Sequence, residues 1–298
     1  MQRVAHERVC KLFEHRVLAG GLFGMVLELL GGGSLAERIA DSLDGRVREF
    51  EVMQVAFDVL PALEFMHSKG MIHRDVKPSN IMRTTVDGRP VYKLIDLSIS
   101  AIGVESREQV SQTLQTGTTS LAAPMGTSHY MSPEQVRPGV AVTAQTDLWS
   151  LGVALFVALS GVLPFAPLET DRFKIARAIE SDESAPDLAA VSDAVVALTM
   201  RALQKDPALR FSTAMEMAAE LERMISMSGD EEYGLFISYR VWCDKDFAEA
   251  LYTAASRCQL QPVSAQRALS ASLASPQCGF RRSFSLPFAE SAVAIAGP

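Results

Sequence analysis

Apolar residues recur at Phe50, Met53, Ala56, Leu60, Leu63 and Met66, three or four positions apart. That spacing lays one apolar stripe along a helix from about Arg48 to Lys69, with Gly70 placed to cap its C-terminus. Pro61 lies inside the stripe, has no amide hydrogen to give, and predicts a bend. Upstream, "LFGMVLELL" (22–30) is an unbroken apolar run ending in Gly31-Gly32-Gly33, the pattern of a short buried strand followed by a turn. Ser34-Leu35-Ala36-Glu37 has capping-box spacing: the serine hydroxyl accepts from the Glu37 amide while the Glu37 carboxylate reaches back, so a helix starts there. Ile81–Met82 and "VYKLI" (91–95) are short strand candidates on either side of the turn "VDGRP". Residues 98–128 are rich in serine and threonine and lack a period, which predicts a long loop. Helical spacing returns at 144–160, 171–180, 190–204 and 212–226.

The uncharged run "LWSLGVALFVALSGVLPFAPL" (148–168) has the length of a bilayer span. Pro164 and Pro167 interrupt its end and no basic flank orients it, so a central helix buried on every face is the better reading. "MSGDEEYG" (227–234) is a polar, acidic stretch and marks a domain boundary, with a linker at 227–234. Beyond Gln261 the chain turns Ser/Ala-rich without a period, which predicts a disordered tail over 262–298.

Composition narrows the class. The 298 residues, 48% hydrophobic and 21% charged, suit one or two globular domains. A net charge of −7 with no long basic run argues against a nucleic-acid binder and offers nothing to an anionic membrane. Cys10, Cys243, Cys258 and Cys278 are scattered, without a C-x-x-C pair, which argues against a zinc site or disulfide framework and for a reducing, cytoplasmic setting. The first ten residues contain no apolar signal-peptide core.

Chemistry concentrates in "MIHRDVKPSNIM" (71–82). His73, Arg74 and Asp75 are followed by Lys77 two places on and Asn80 five places on, and Asp96 closes the apolar strand of "KLIDLS". Any one of these reads as a surface charge or a cap; the set at this spacing is a phosphoryl-transfer signature. "GTSHYMSPEQ" (126–135), "TDLWSLGV" (146–153) and "KDPALRFS" (205–212) follow in order. On these four motifs the chain resembles the protein kinase superfamily over residues 1–226. Lys77, and Thr127 after Gly126, resemble its serine/threonine branch.

The resemblance implies an α+β, protein-kinase-like fold, mainly an α-helical C-lobe over 34–226 with a truncated N-lobe and hinge over 1–33. It implies transfer of the ATP γ-phosphate to serine or threonine hydroxyls of a protein substrate, with ATP and Mg2+ as cofactors. By the same token Asp75 orients the substrate hydroxyl and takes its proton, and Lys77 neutralises charge on the phosphoryl group in transit. Thr127 belongs to the same catalytic cluster, and Asn80 and Asp96 hold magnesium through hard oxygen ligands. On the adenine side, Leu27 falls at the gatekeeper position. Glu28 and Leu30 fall on the hinge, Ser34 at a ribose-binding position, and Met82 on the apolar floor beneath the purine. His73, Arg74, Glu134, Asp147 and Arg210 take structural motif positions: His73 beneath the magnesium loop, Arg74 towards an activation-segment phosphate, Glu134 paired with Arg210, and Asp147 on the catalytic-loop backbone.

The chain also departs from the pattern. Only 72 residues precede His73, and they hold neither a G-x-G-x-x-G loop nor a V-A-I-K-type lysine. "HERVCKLFEH" (6–15) resembles the family's fourth strand, just ahead of the hinge strand. Asp96-Leu97-Ser98 stands for Asp-Phe-Gly, and Ser132-Pro133-Glu134 for Ala-Pro-Glu. The expectation is a catalytic family with little transfer by 1–298 on its own; the rival reading is a kinase-like scaffold without catalysis. Finally, "YGLFISYRVWCDKDFAEALYTAAS" (233–256) resembles the first strand and helix of a Toll/interleukin receptor (TIR) domain. That implies a short α/β TIR-like fragment over 235–261 and a TIR-type protein partner, without NAD cleavage because the later catalytic glutamate is absent.

Overall fold

The computed structural model describes residues 6–17, 23–86, 88–95 and 127–228. Asp96, most of the 98–128 segment, the linker beyond Ser228, the TIR-like stretch and the tail lie outside the described residues; the last helix runs to Ser228, two residues into the predicted linker.

Two short hairpins and a set of helices make up the described chain. β1 (Leu12–Val17) pairs antiparallel with β2 (Phe23–Leu27), and β3 (Ile81–Val86) with β4 (Arg89–Leu94). The helices are α1 (Leu35–Ala40), α2 (Glu49–Ser68), α3 (Pro133–Val136), α4 (Ala144–Ser160), α5 (Arg172–Glu180), α6 (Asp193–Ala202) and α7 (Ala214–Ser228).

The core is built around α2 and α4. Val52, Val55, Ala56, Val59, Leu60 and Leu63 of α2 are fully buried, as are Leu148, Trp149, Leu151 and Phe156 of α4. The apolar 148–160 run is therefore a central core helix, and among the described residues no helix is long and apolar enough to cross a membrane. α4 also meets α6 closely: a Cβ on Gly152 would lie 2.8 Å from the Cβ of Ala202. The α2 stripe forms one helix that runs unbroken through Pro61. Gly70, at φ +70, turns the chain out of it as the sequence predicts.

The predicted strand over 22–30 needs correction. β2 stops at Leu27, and Met25, Val26 and Leu27 are 43%, 54% and 46% exposed. An apolar run shows that a strand needs cover without showing what covers it, and among the described residues β1 and β2 pair only with each other. The 6–15 stretch is also only partly strand. β1 begins at Leu12, while residues 8–10 run beside β4, with Leu94 N–H donating to Arg8 O (2.9 Å) and Cys10 N–H to Leu94 O (2.8 Å). Arg8 enters the core there and meets the buried carboxylate of Asp58 on α2 at 3.0 Å. The strand candidates at 81–82 and 91–95 grow into the full hairpin Ile81–Val86 and Arg89–Leu94, with Gly88 at φ +78 leading into the second strand.

Candidate active site

Residues 71–77 carry no regular structure, so side chains from elsewhere must hold their backbone. Asp147, in the first turn of α4 and fully buried, does most of this. Its Oδ2 accepts from His73 N–H (2.8 Å) and its Oδ1 from Arg74 N–H (2.8 Å). His67 Nε2, at the end of α2, lies 2.8 Å from the same Oδ2. The clamp holds Arg74 at φ +68, a left-handed conformation that a non-glycine side chain adopts only when its surroundings impose it. Gln135 Nε2 adds a bond to the Arg74 carbonyl at 3.1 Å.

The His73 ring is buried and fixed at both nitrogens. Nδ1 accepts from Asp75 N–H (3.3 Å), so Nε2 carries the proton and donates to Ile95 O (3.0 Å). Ile95 N–H in turn donates to Asn80 O (2.9 Å). The residue immediately before Asp96 is thus tied to both ends of the 73–80 loop.

The charged cluster sits on this frame. Lys77 Nζ donates to Asp75 Oδ2 (2.8 Å) and to Thr127 Oγ1 (3.0 Å). Asn80 Nδ2 donates to the same Asp75 Oδ2 (3.0 Å) and to Asp75 O (2.8 Å). Asp75 Oδ1 is buried and has no hydrogen-bond partner among the described residues. An orphaned carboxylate oxygen beside a lysine and an amide suits a missing donor, such as a hydroxyl or a cation. With Nδ2 committed to Asp75, Oδ1 is the atom Asn80 has to offer a metal ion. The two oxygens available here are hard ligands, as magnesium requires.

The hinge residues run alongside. The capping box of α1 forms as predicted: Ser34 Oγ accepts from Glu37 N–H (3.1 Å), and Glu37 Oε2 accepts from Ser34 N–H (2.7 Å). The Ser34 side chain therefore belongs first to its helix. Gly32 N–H donates to Arg83 O (3.0 Å) and Arg83 N–H to Gly33 O (2.8 Å), stitching the hinge to β3. A Cβ on Gly32 would sit 2.6 Å from Arg83 O, so that position requires glycine. Met82 is half-buried on β3, bridged to Ser34; Leu30 is buried; Leu27 is exposed. A cavity of about 460 Å³ opens beside Gly33 and Ser34, with Arg38, Arg83 and Asp41 on its wall.

Two further placements concern the frame. Arg210 Nη1 and Nη2 donate to Glu134 Oε1 (2.7 Å) and Oε2 (2.9 Å), with Thr146 Oγ1 donating to Oε1 as well (2.8 Å). Burial pushes the Glu134 carboxyl up, but the Arg210 guanidinium, aided by the Thr146 hydroxyl and a backbone bond, holds the group below the usual carboxylate range. The sequence gives no hint of His67 on Asp147, nor of Lys93, whose Nζ meets Glu28 Oε1 at 2.6 Å. Lys93 is a charged position between buried Tyr92 and Leu94, and that mismatch is the signal it leaves in the chain; His67, between buried Met66 and exposed Ser68, leaves none.

The family model described as "protein kinase domain" matches residues 1–221. The chain belongs to the protein kinase family. Curated relatives of this kinase-family chain include the serine/threonine-protein kinase PknB of Mycobacterium tuberculosis, 35% identical over 211 residues, or 69% of this chain and 31% of the relative. MAP kinase-activated protein kinase 2 of Drosophila melanogaster is 34% identical over 141 residues, covering 47% of this chain and 36% of the relative. The chain thus spans about a third of the length of the curated relatives it matches. Among solved structures, the PknI kinase domain of Mycobacterium tuberculosis superposes with a TM-score of 0.52 at 23% identity, over 74% of this kinase-family chain and 73% of that one. The likeness extends the family assignment to the fold.

Proposed function

We propose that the chain is the catalytic part of a serine/threonine protein kinase, passing the γ-phosphoryl group of ATP to a serine or threonine hydroxyl of a protein. The observation that carries this reading is the junction at Lys77, whose ammonium joins Asp75 to Thr127 while Asp75 Oδ1 is left open. In this reading the substrate hydroxyl donates to Asp75. As its oxygen bonds to the γ-phosphorus, the bond from that phosphorus to the ADP oxygen breaks, and the hydroxyl proton passes to Asp75. Lys77 lies within reach of the negative charge that spreads over the phosphoryl oxygens, and its bond to Thr127 ties the substrate side to the catalytic loop. Asn80 and Asp96 would hold magnesium, which supplies charge neutralisation between the β- and γ-phosphates. The purine would lie on Met82 against the main chain of Glu28 and Leu30, with the ribose towards Ser34 and Leu27 at the rear.

Transfer to a serine/threonine-rich protein substrate tests the reading, measured on 1–298 and on the same chain extended by the reading frame upstream of Met1. Asp75→Asn should lower the rate at least about a hundredfold. Little transfer is expected of 1–298 itself; equal rates for the variant and the parent in the extended protein, or no transfer by the extended protein, would favour a scaffold instead. The TIR-like stretch at 233–256 is proposed to recruit a TIR-type protein in the cytoplasm. Its deletion should abolish co-purification of such a partner and leave transfer unchanged; loss of transfer would assign it to the kinase domain.

A further inference from the structure

The hinge is attached to the β3–β4 hairpin at two places. One is the pair of backbone bonds between Gly32, Gly33 and Arg83. The other is a single side-chain contact: Lys93 Nζ to Glu28 Oε1 at 2.6 Å, with the Lys93 side chain 6% exposed. Lys93 stands on β4 directly across from Met82, so it rises from the same strand pair as the floor assigned to the purine.

Glu28 is held at several atoms. Its Oε2 accepts from Lys11 N–H (3.2 Å), its own N–H donates to Lys11 O (2.9 Å), and its carbonyl oxygen accepts a weak bond from Cys10 Sγ (3.7 Å). Leu29, next in the chain, is 91% exposed and cannot anchor the segment by packing. A buried ammonium is costly unless paired, so Lys93 fixes where the Glu28 carboxylate can go. Burial pushes the Glu28 carboxyl up, but the Lys93 ammonium together with the Lys11 amide and charge brings it below the usual carboxylate range.

We propose that Lys93 is a positioning residue for purine binding: through Glu28 it sets the main-chain carbonyl of Glu28 and the amide of Leu30 at the spacing an adenine edge needs. The inference rests on the hinge reading given above. It separates Lys93 from the phosphate-end residues, because the whole of its effect should appear at the base.

Calorimetric titration of the full chain with adenosine, and separately with ADP and magnesium, tests it. Lys93→Met should weaken both ligands by the same factor, about tenfold, since a displaced hydrogen bond of ordinary strength is worth about that much in affinity. Lys93→Arg should restore most of the loss, and in a transfer assay on the extended protein Lys93→Met should raise the KM for ATP and leave kcat unchanged. The double variant Glu28→Gln with Lys93→Met leaves no lone buried charge and should show the same loss, which covers the case where the single variant does not fold. Wild-type adenosine affinity in either folded variant overturns the proposal, as does a loss confined to ADP or no recovery with arginine. No adenosine binding by the parent chain would overturn the hinge reading itself, and this inference with it.

Discussion

Three donors converge on the Asp147 carboxylate, and only a carboxylate offers enough acceptor positions for all of them. An asparagine has one acceptor oxygen, so Asp147→Asn must leave the His73 or the Arg74 amide unpaired in a buried place. The expected cost is about 1–3 kcal/mol of stability, read as a lower urea midpoint at an unchanged slope. Transfer should fall further than stability does, because Arg74 at φ +68 is then free to relax and to carry Asp75 with it. An unchanged urea midpoint would show that the clamp is dispensable. The residues of this loop were legible from the sequence because His73, Arg74, Asp75, Lys77 and Asn80 lie within eight positions of one another. Lys93 on Glu28 and His67 on Asp147 were not, because each partner is 65 or 80 positions away and no local spacing announces it.

At the scale of elements, the sequence predicted helices better than strands, for a physical reason. A helix encodes its buried face within its own period: the 144–160 pattern is α4 to the residue, and 171–180 differs from α5 by one residue at its start. The 190–204 pattern shortens to Asp193–Ala202 because Ser192 takes the N-cap position and Leu203 the C-cap. A strand depends on neighbours that the local sequence does not name, and the exposed apolar side chains of β2 are the result. Helix contacts also fix which small residues cannot grow. Gly152 faces Ala202 across the α4–α6 contact, and a methyl group there would come within 2.8 Å of another Cβ. Gly152→Ala improves helix propensity by up to about 1 kcal/mol, but the clash must force the two helices apart at about 1–3 kcal/mol. Net destabilisation is the expected result of thermal unfolding, and a gain in melting temperature would mean that the contact yields more easily than close packing allows.

Across the whole molecule, one ion pair joins parts of the chain that are otherwise distant. Glu134, just after the 96–126 segment, meets Arg210 near the end of the domain, with both side chains almost wholly buried. Their roles were legible from the motif order, whereas the added bond from Thr146 and the carbonyls of Gln204, Lys205 and Gln145 around the guanidinium were not, since main-chain acceptors carry no residue identity. Removing one partner strands a buried charge, so Arg210→Met should cost about 3–5 kcal/mol at pH 7. The pH dependence then tests the cause. In the parent, Glu134 has a folded pKa below its unfolded value, so its contribution is complete above the unfolded pKa and is lost as pH falls through the folded one. In Arg210→Met the charged partner is gone; the Thr146 hydroxyl still donates, but burial is the largest influence on Glu134 and is expected to raise its folded pKa above the unfolded value. Protonation then relieves the variant in the range where it penalises the parent. The difference in unfolding free energy between parent and variant should therefore shrink as pH drops from 7 towards 4, as measured by urea unfolding. A difference that stays constant with pH would assign the cost to lost packing of the long arginine side chain instead of to the stranded charge.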